Sequence, residues 1–179
     1  MNTIEEAVKL NLGSRTVVIP GFKNVDIDAH PNVSIVANVG DLRGKVADNS
    51  VDEILASHVL EHFSHTKTAE VLREWRRCLK PVGVLWLSVP DFNRMLEIYT
   101  RHGMSDFVVN MLWGDQGYAT AYHYTSFDFI RLEGLLKGAG YGEIERLAWL
   151  PFWKHGGCGS NVCTTDHRPV SLNCRAIKI

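Results

Sequence analysis

Between Pro81 and Pro90 the chain reads Val-Gly-Val-Leu-Trp-Leu-Ser-Val, and no other stretch constrains its fold as strongly. From Val84 to Val89 the run is nearly unbroken apolar and of strand length, as expected of a strand buried on both faces in a parallel sheet. Just before it, Thr66 to Leu79 carries Ala69, Leu72, Trp75 and Leu79 at three- and four-residue steps with arginines between them. That spacing predicts an amphipathic helix ended by Pro81. A helix leading into a doubly buried strand is half of a parallel crossover unit, so an α/β layer fold is expected, with Val84 to Val89 central in the sheet.

The remaining elements fit this frame. Short β-type runs at Val8 to Leu12, Lys23 to Ile27, Val33 to Ala37 and Val51 to Ser57 are separated by turn-rich pieces such as Pro20-Gly21 and His30-Pro31-Asn32, which predicts four early strands. A helix is expected from Asp91 to about Arg101. A second follows Thr125 or Ser126, with Phe129, Leu132, Leu136 and Ala139 on one face, Asp128 placed for a capping box with Thr125, and Gly138 and Gly140 as the stop. Glu143 to Trp149 and Val170 to Ile179 read as the last strands. Only about ten residues separate the first two strands, and Asp28 to Asn32 is shorter still. Parallel crossovers need about a dozen or more, so two early crossover helices should be missing and their links extended.

Composition narrows the function. The chain of 179 residues has no internal repeat or linker, which predicts a single domain over residues 1–179. Nineteen basic and 20 acidic side chains leave a net charge of −1, without the basic footprint of a general nucleic-acid binder. Apolar runs fall far short of the roughly 20 residues of a membrane helix, and the acidic N-terminal stretch does not read as a secretory signal, so a cytoplasmic protein acting on a small molecule is expected. Cys78, Cys158, Cys163 and Cys174 are unevenly spaced, as free thiols rather than a disulfide framework.

In open α/β sheets ligands bind beyond the carboxyl ends of the strands. Three such ends carry suggestive residues: Asn11, Gly13 and Ser14 after the first, Asp26 and Asp28 at the second, Asp41 after the third. A glycine lets backbone approach a ligand, and a carboxylate at the second strand end of a nucleotide-binding fold accepts bonds from a ribose diol. Singly, each also reads as turn chemistry. Together they favour a nucleoside.

The segments Leu10-Asn-Leu-Gly13, Asn24-Val-Asp-Ile-Asp28, Ser57-His-Val-Leu-Glu-His-Phe63 and Leu72 to Phe92, in this order and spacing, resemble the class I S-adenosylmethionine-dependent methyltransferases, particularly small methyltransferase-like proteins. The resemblance covers Lys9 to Trp149 and resumes at Pro169 to Lys178. It implies a Rossmann-like fold with a C-terminal antiparallel strand, S-adenosylmethionine as cofactor, and methyl transfer to a small-molecule or carbohydrate-like acceptor, at oxygen. By position, Asn11, Gly13 and Ser14 match the loop under the methionine part of the cofactor. Asp26 matches the ribose carboxylate, ahead of Asp28; Asp41 and Leu42 match the pair beside the adenine; Ser57 and His58 match residues lining the methionine and the reacting centre. His123, in Tyr118 to Phe127, matches a histidine that reaches over the active site, where an imidazole takes a proton from a hydroxyl. Trp113, Tyr122 and Tyr124 are candidates for shaping the acceptor pocket. The chain departs from the family in its glycine-poor loop and in Val82, which stands where relatives carry the first glycine of a turn. A β-branched residue disfavours positive φ, so a different turn is expected there.

Two histidine-bearing segments also match metal-site patterns. His58-Val-Leu-Glu61-His62 fits the H-x-x-E-H zinc pattern, but that geometry needs a helix where His58 should close a strand; a zinc hydrolase ranks third, and His62 reads as a packing or hydrogen-bonding residue. His155, Cys158, Cys163 and His167 form a second possible zinc set, with a covering loop the better reading. The second-ranked function is a catalytically silent binding module on the same fold. Finally, Val25, Ile27, Val33 and Ile35 would form an exposed apolar patch where crossover helices are missing, to be covered by the Trp149 to Trp153 segment or by a second copy in a homodimer.

Overall fold

The computed structural model describes residues 6–153 and 167–179. Seven strands form one sheet: β1 (Lys9–Leu12), β2 (Lys23–Asp26), β3 (Val33–Val36), β4 (Val51–Ser57), β5 (Leu79–Pro90), β6 (Tyr141–Leu147) and β7 (Ser171–Lys178). Their order is β3-β2-β1-β4-β5-β7-β6. The pairs from β3 through β5 are parallel, and β7 runs antiparallel between β5 and β6. This is the Rossmann-like order with a C-terminal antiparallel strand. Four α-helices accompany it: α1 (Thr68–Cys78), α2 (Phe92–His102), α3 (Asp106–Trp113) and α4 (Phe129–Gly138). None among the described residues is long and apolar enough to cross a membrane.

The early crossover helices are missing. β1 is joined to its parallel neighbour β2 by Gly13 to Phe22 and β2 to β3 by Ile27 to Asn32, with no helix in either link. Two buried asparagines replace the helix in the first link. Nδ2 of Asn11 donates to Oδ1 of Asn24 (3.1 Å) and to the Val17 carbonyl (3.3 Å), to which Nδ2 of Asn24 also donates (2.9 Å). Such bonds satisfy the extended backbone that a helix would satisfy internally.

Alternation along the central strands divides the core between two faces. Ile54, Ala56, Leu85, Leu87 and Val89 join the main cluster with Leu72 and Trp75 of α1 and Leu132 and Leu136 of α4. The intervening Leu55 and Trp86 pack on the other face with Ile19, Phe22, Leu150, Phe152 and Trp153. The aromatic segment after β6 therefore covers the face opposite α1 and α4. The early-strand patch is not continuous: Val25 is buried, Ile35 packs against the main cluster, and Ile27 is 51% exposed.

Three local expectations are corrected. Val82 adopts φ +59 and stays within β5 as a bulge, with the register against β4 shifting between Val51 and Glu53. A Cβ on Gly83 would sit 2.8 Å from the Lys80 carbonyl, so the bulge closes on that glycine and the left-handed residue falls on Val82. Its side chain is 78% exposed, which avoids a clash at a conformational cost of about 1–2 kcal/mol. The cap of α4 is Asp128 itself, whose Oδ1 accepts from the Arg131 amide (2.7 Å), rather than Thr125. The stretch after Gly103, for which the sequence predicts no element, forms α3, capped by Ser105.

Glu74 fastens α1 to the link after β3. Its Oε1 accepts from the Leu42 amide (2.7 Å) and from Nη2 of Arg77 (2.8 Å), and its Oε2 from Nε of Arg77 (2.9 Å). Hydrogen bonding to Arg77 holds the carboxyl below the usual carboxylate range despite partial burial. A depressed folded-state pKa contributes stability above the unfolded value, lost as pH falls through the folded one. Glu74→Gln should therefore cost about 1.5–3 kcal/mol at pH 7, with the gap to wild type closing on acidification, as thermal unfolding at pH 7 and in strong acid would read.

Candidate active site

Two cavities open beyond the carboxyl ends of the parallel strands, about 480 Å³ and 270 Å³ in volume, and Gly13, Arg15, His58, His62 and Tyr118 belong to the walls of both. The larger is also bordered by Asn11, Ser14, Ser57 and His123 with Phe107, Asn110 and Met111 of α3. The smaller is bordered by Asp26, Asp28, Asn38, Val39 and Tyr124.

The strand ends shape the shared wall. Gly13 has φ +60, and a Cβ there would stand 2.6 Å from Cγ2 of Val59, so the chain turns against the loop after β4 only as glycine. Asp26 is 4% exposed. Its Oδ2 accepts from the Arg15 amide (2.7 Å) and its Oδ1 from the Asp28 amide (3.1 Å), which ties the loop after β1 to the end of β2. The Ser14 hydroxyl is buried without a hydrogen-bond partner, a free polar group in the wall of the larger cavity. Across the cleft, Nη1 of Arg15 donates to the Tyr118 hydroxyl (2.5 Å) and the guanidinium lies 4.6 Å from the centre of that ring.

Asp41 and Leu42 lie outside both cavities. Asp41 is an exposed ion pair with Arg43 (2.7 Å), whose hydrogen bonds hold its carboxyl below the usual range, and Leu42 is fully buried in the main core. Asn38 and Val39, nearer the end of β3, take the place in the cavity wall. Both stand closer to the strand end than Asp41 does, where ligands bind in open α/β sheets.

Histidines gather where the cavities meet. His58 follows β4 with φ +55. Its Nε2 is 2.8 Å from the Ser171 hydroxyl and its Nδ1 3.1 Å from Oε1 of Glu61, so both ring nitrogens are committed to a bracket between β4 and β7. Leu60–His62 forms a single 3₁₀ turn, so the H-x-x-E-H segment does not present two imidazoles on one α-helical face. His62 instead meets His123, with ring centres 4.7 Å apart and planes at 81°. Nδ1 of His62 is 3.0 Å from the Tyr122 carbonyl, and Nδ1 of His123 is 3.0 Å from the Met111 carbonyl. A carbonyl only accepts, so each Nδ1 carries its proton and each neutral ring keeps its lone pair on Nε2. Burial pulls the His123 pKa below the ordinary imidazole value, with Glu61 opposing in part. Gly114 makes the approach of this loop possible: at φ +80, a Cβ there would overlap the Ala121 carbonyl at 1.8 Å.

Of the three aromatic candidates, Tyr124 borders the smaller cavity, while Trp113 and Tyr122 border neither. Cys78 and Cys174 are buried free thiols, pushed up by burial to about 11 and about 12. His155, Cys158 and Cys163 lie outside the described residues.

Comparison with known proteins agrees with this geometry. The methyltransferase-domain family matches residues 19–87, from the link after β1 into β5, beginning beyond the glycine-poor turn. No curated protein matches the sequence significantly. Among solved structures, a SAM-dependent methyltransferase from Archaeoglobus fulgidus superposes with a TM-score of 0.60 at 14% identity, over 96% of this chain and 86% of that one. A possible histamine N-methyltransferase from Thermotoga maritima gives 0.62 at 18% identity, over 97% and 83%. The Burkholderia thailandensis 1,6-didemethyltoxoflavin-N1-methyltransferase, solved with its substrate and S-adenosylhomocysteine, gives 0.58 at 16%, over 96% and 71%. Residues 19–87 thus match the methyltransferase-domain family, and the chain as a whole has the fold of the class I S-adenosylmethionine-dependent methyltransferases. S-adenosylmethionine is the cofactor of that family.

Proposed function

We propose that this chain transfers the methyl group of S-adenosylmethionine to a hydroxyl of a small or carbohydrate-like acceptor. One observation carries the reading: the two cavities share a wall at Gly13 and His58, one bearing a strand-end carboxylate and the other two imidazoles with free Nε2 lone pairs. The smaller cavity suits the nucleoside, with Asp26 toward the ribose and Asn38 and Val39 beside the base. The buried Ser14 hydroxyl and the turn at Gly13 suit the amino-acid end. When bound, the cofactor supplies a sulfonium-activated methyl group that transfers by in-line displacement without a metal. The protein's part is then alignment and removal of the acceptor's proton.

His123 takes that proton. Its imidazole is neutral at pH 7 because its pKa lies below the ordinary value, and its Nδ1 bond to Met111 aims the other nitrogen. His123→Ala should lower kcat by about 10²–10⁴-fold while leaving cofactor affinity within a few-fold, which titration calorimetry and S-adenosylhomocysteine release separate.

The reading itself is tested by calorimetric titration with S-adenosylmethionine and S-adenosylhomocysteine, followed by an acceptor screen that follows S-adenosylhomocysteine release. Absence of binding overturns it. Binding without turnover of any hydroxylated acceptor favours the silent module, for which the two non-glycine features of the β1 loop, the left-handed Arg15 (φ +45) and the committed Asn11 amide, are the supporting observations.

A further inference from the structure

Glu61, the acid of the H-x-x-E-H segment, has no part in the proton transfer described above. It is fully buried; its Oε1 lies 3.1 Å from Nδ1 of His58, and its Oε2 has no hydrogen-bond partner. One ligand atom from each of Glu61, His62 and His123 lies within 4.8 Å of the other two. The titratable groups facing it are His58 from the end of β4, His62 from its own turn and His123 from the loop before α4. Its backbone carbonyl accepts from the amides of Tyr124 (2.8 Å) and Thr125 (3.3 Å), which moors the His123 loop to the same turn.

A buried carboxylate with unfilled acceptor capacity is costly unless a positive charge appears beside it. Methyl transfer from a sulfonium creates one. As the new O–CH₃ bond forms, the S–CH₃ bond breaks with its electron pair going to sulfur. The acceptor's O–H bond breaks, and its proton goes to Nε2 of His123. Positive charge therefore leaves the cofactor and reappears as an imidazolium in the cluster.

We propose that Glu61 is a positioning residue that, through His123 and its partner His62, compensates the imidazolium formed when the acceptor loses its proton. This inference rests on the methyltransferase reading above. Burial pushes the Glu61 carboxyl up, but His58 and the other imidazoles outweigh it and leave it below the usual carboxylate range, in keeping with a charged residue.

The test uses the isosteric Glu61→Gln variant of the whole chain and histidine NMR titration. His123 should titrate lower in the variant by about one unit, the usual effect of removing an opposite charge at this range. With an acceptor that turns over, kcat should fall about 10–100-fold and the acidic limb of kcat/KM should move to lower pH with His123. Affinity for S-adenosylmethionine should stay within a few-fold, so a loss of cofactor binding by wild type would fail the methyltransferase reading, whereas identical His123 titration in both proteins would overturn the Glu61 role alone. If the variant does not fold, the carboxyl carbon of Glu61 in labelled wild-type protein decides: an ionised group at pH 7 supports the role, and a protonated one overturns it. Stoichiometric divalent metal in the protein, with activity lost on chelation, would also overturn it in favour of a cation on the same three residues.

Discussion

Trp75→Ala should destabilise the fold by about 3–5 kcal/mol, the range for truncating a fully buried aromatic residue. Trp75 is 0% exposed at the centre of the cluster joining α1 to β4, β5 and α4. It also does something a phenylalanine could not, since its Nε1 donates to the Val39 carbonyl at 2.8 Å. Val39 lies in the wall of the smaller cavity, so the indole ties the main core to the side of the cleft proposed for the nucleoside. Trp75→Phe should keep most of the packing, lose this bond, and cost about 0.5–1.5 kcal/mol while weakening cofactor binding more than its stability loss suggests. Urea denaturation at 25 °C reads both variants. A loss below about 1 kcal/mol for Trp75→Ala would mean that α1 is not anchored through this residue.

Much of this architecture was legible because it is written in local periodicity. The apolar run at Val84 to Val89 and the helical spacing of Leu72 and Trp75 each announce one element, and together they announce a parallel crossover. The absence of early helices followed from counting: ten residues cannot carry a helix across a sheet. What replaced those helices was not legible. The bonds of Asn11 and Asn24 to a common carbonyl depend on two strands meeting, and Trp86 reaching Phe152 (5.5 Å between ring centres) depends on the segment after β6 folding back over β5.

The site divides in the same way. Gly13, Ser14, Asp26, Ser57, His58 and His123 stand at strand ends or before a helix, and all border the two cavities. Asp41 and Leu42 match the family by spacing alone, and both lie outside the two cavities. Asp41 pairs with its neighbour Arg43, while Leu42 is drawn into the core. His62 reads as a packing or hydrogen-bonding residue and does bond the Tyr122 carbonyl, but its ring contact with His123 lies 61 residues away in the chain and is not legible locally. Glu61 read as part of a helical zinc pattern because the left-handed turn at His58 is not a property that sequence displays.

Cofactor affinity is therefore expected to depend on Asp26 far more than on Asp41. A carboxylate offers about four lone-pair sites. In Asp26 the Arg15 and Asp28 amides use one on each oxygen, and the remaining acceptor capacity lies where a ribose diol would donate. Asp26→Asn keeps the size but removes the charge and half the acceptors. It should weaken S-adenosylmethionine binding by about 1.5–3 kcal/mol, roughly a 10- to 150-fold rise in Kd. Asp26→Ala should cost more, because the loop after β1 also loses its tie to β2 and the turn at Gly13 is no longer held. Asp41→Ala should leave Kd within a few-fold, since it removes only an exposed ion pair outside both cavities. Calorimetric titration of the three variants decides the matter: an unchanged Kd in Asp26→Asn beside a weakened one in Asp41→Ala would move the nucleoside from the end of β2 to the link after β3.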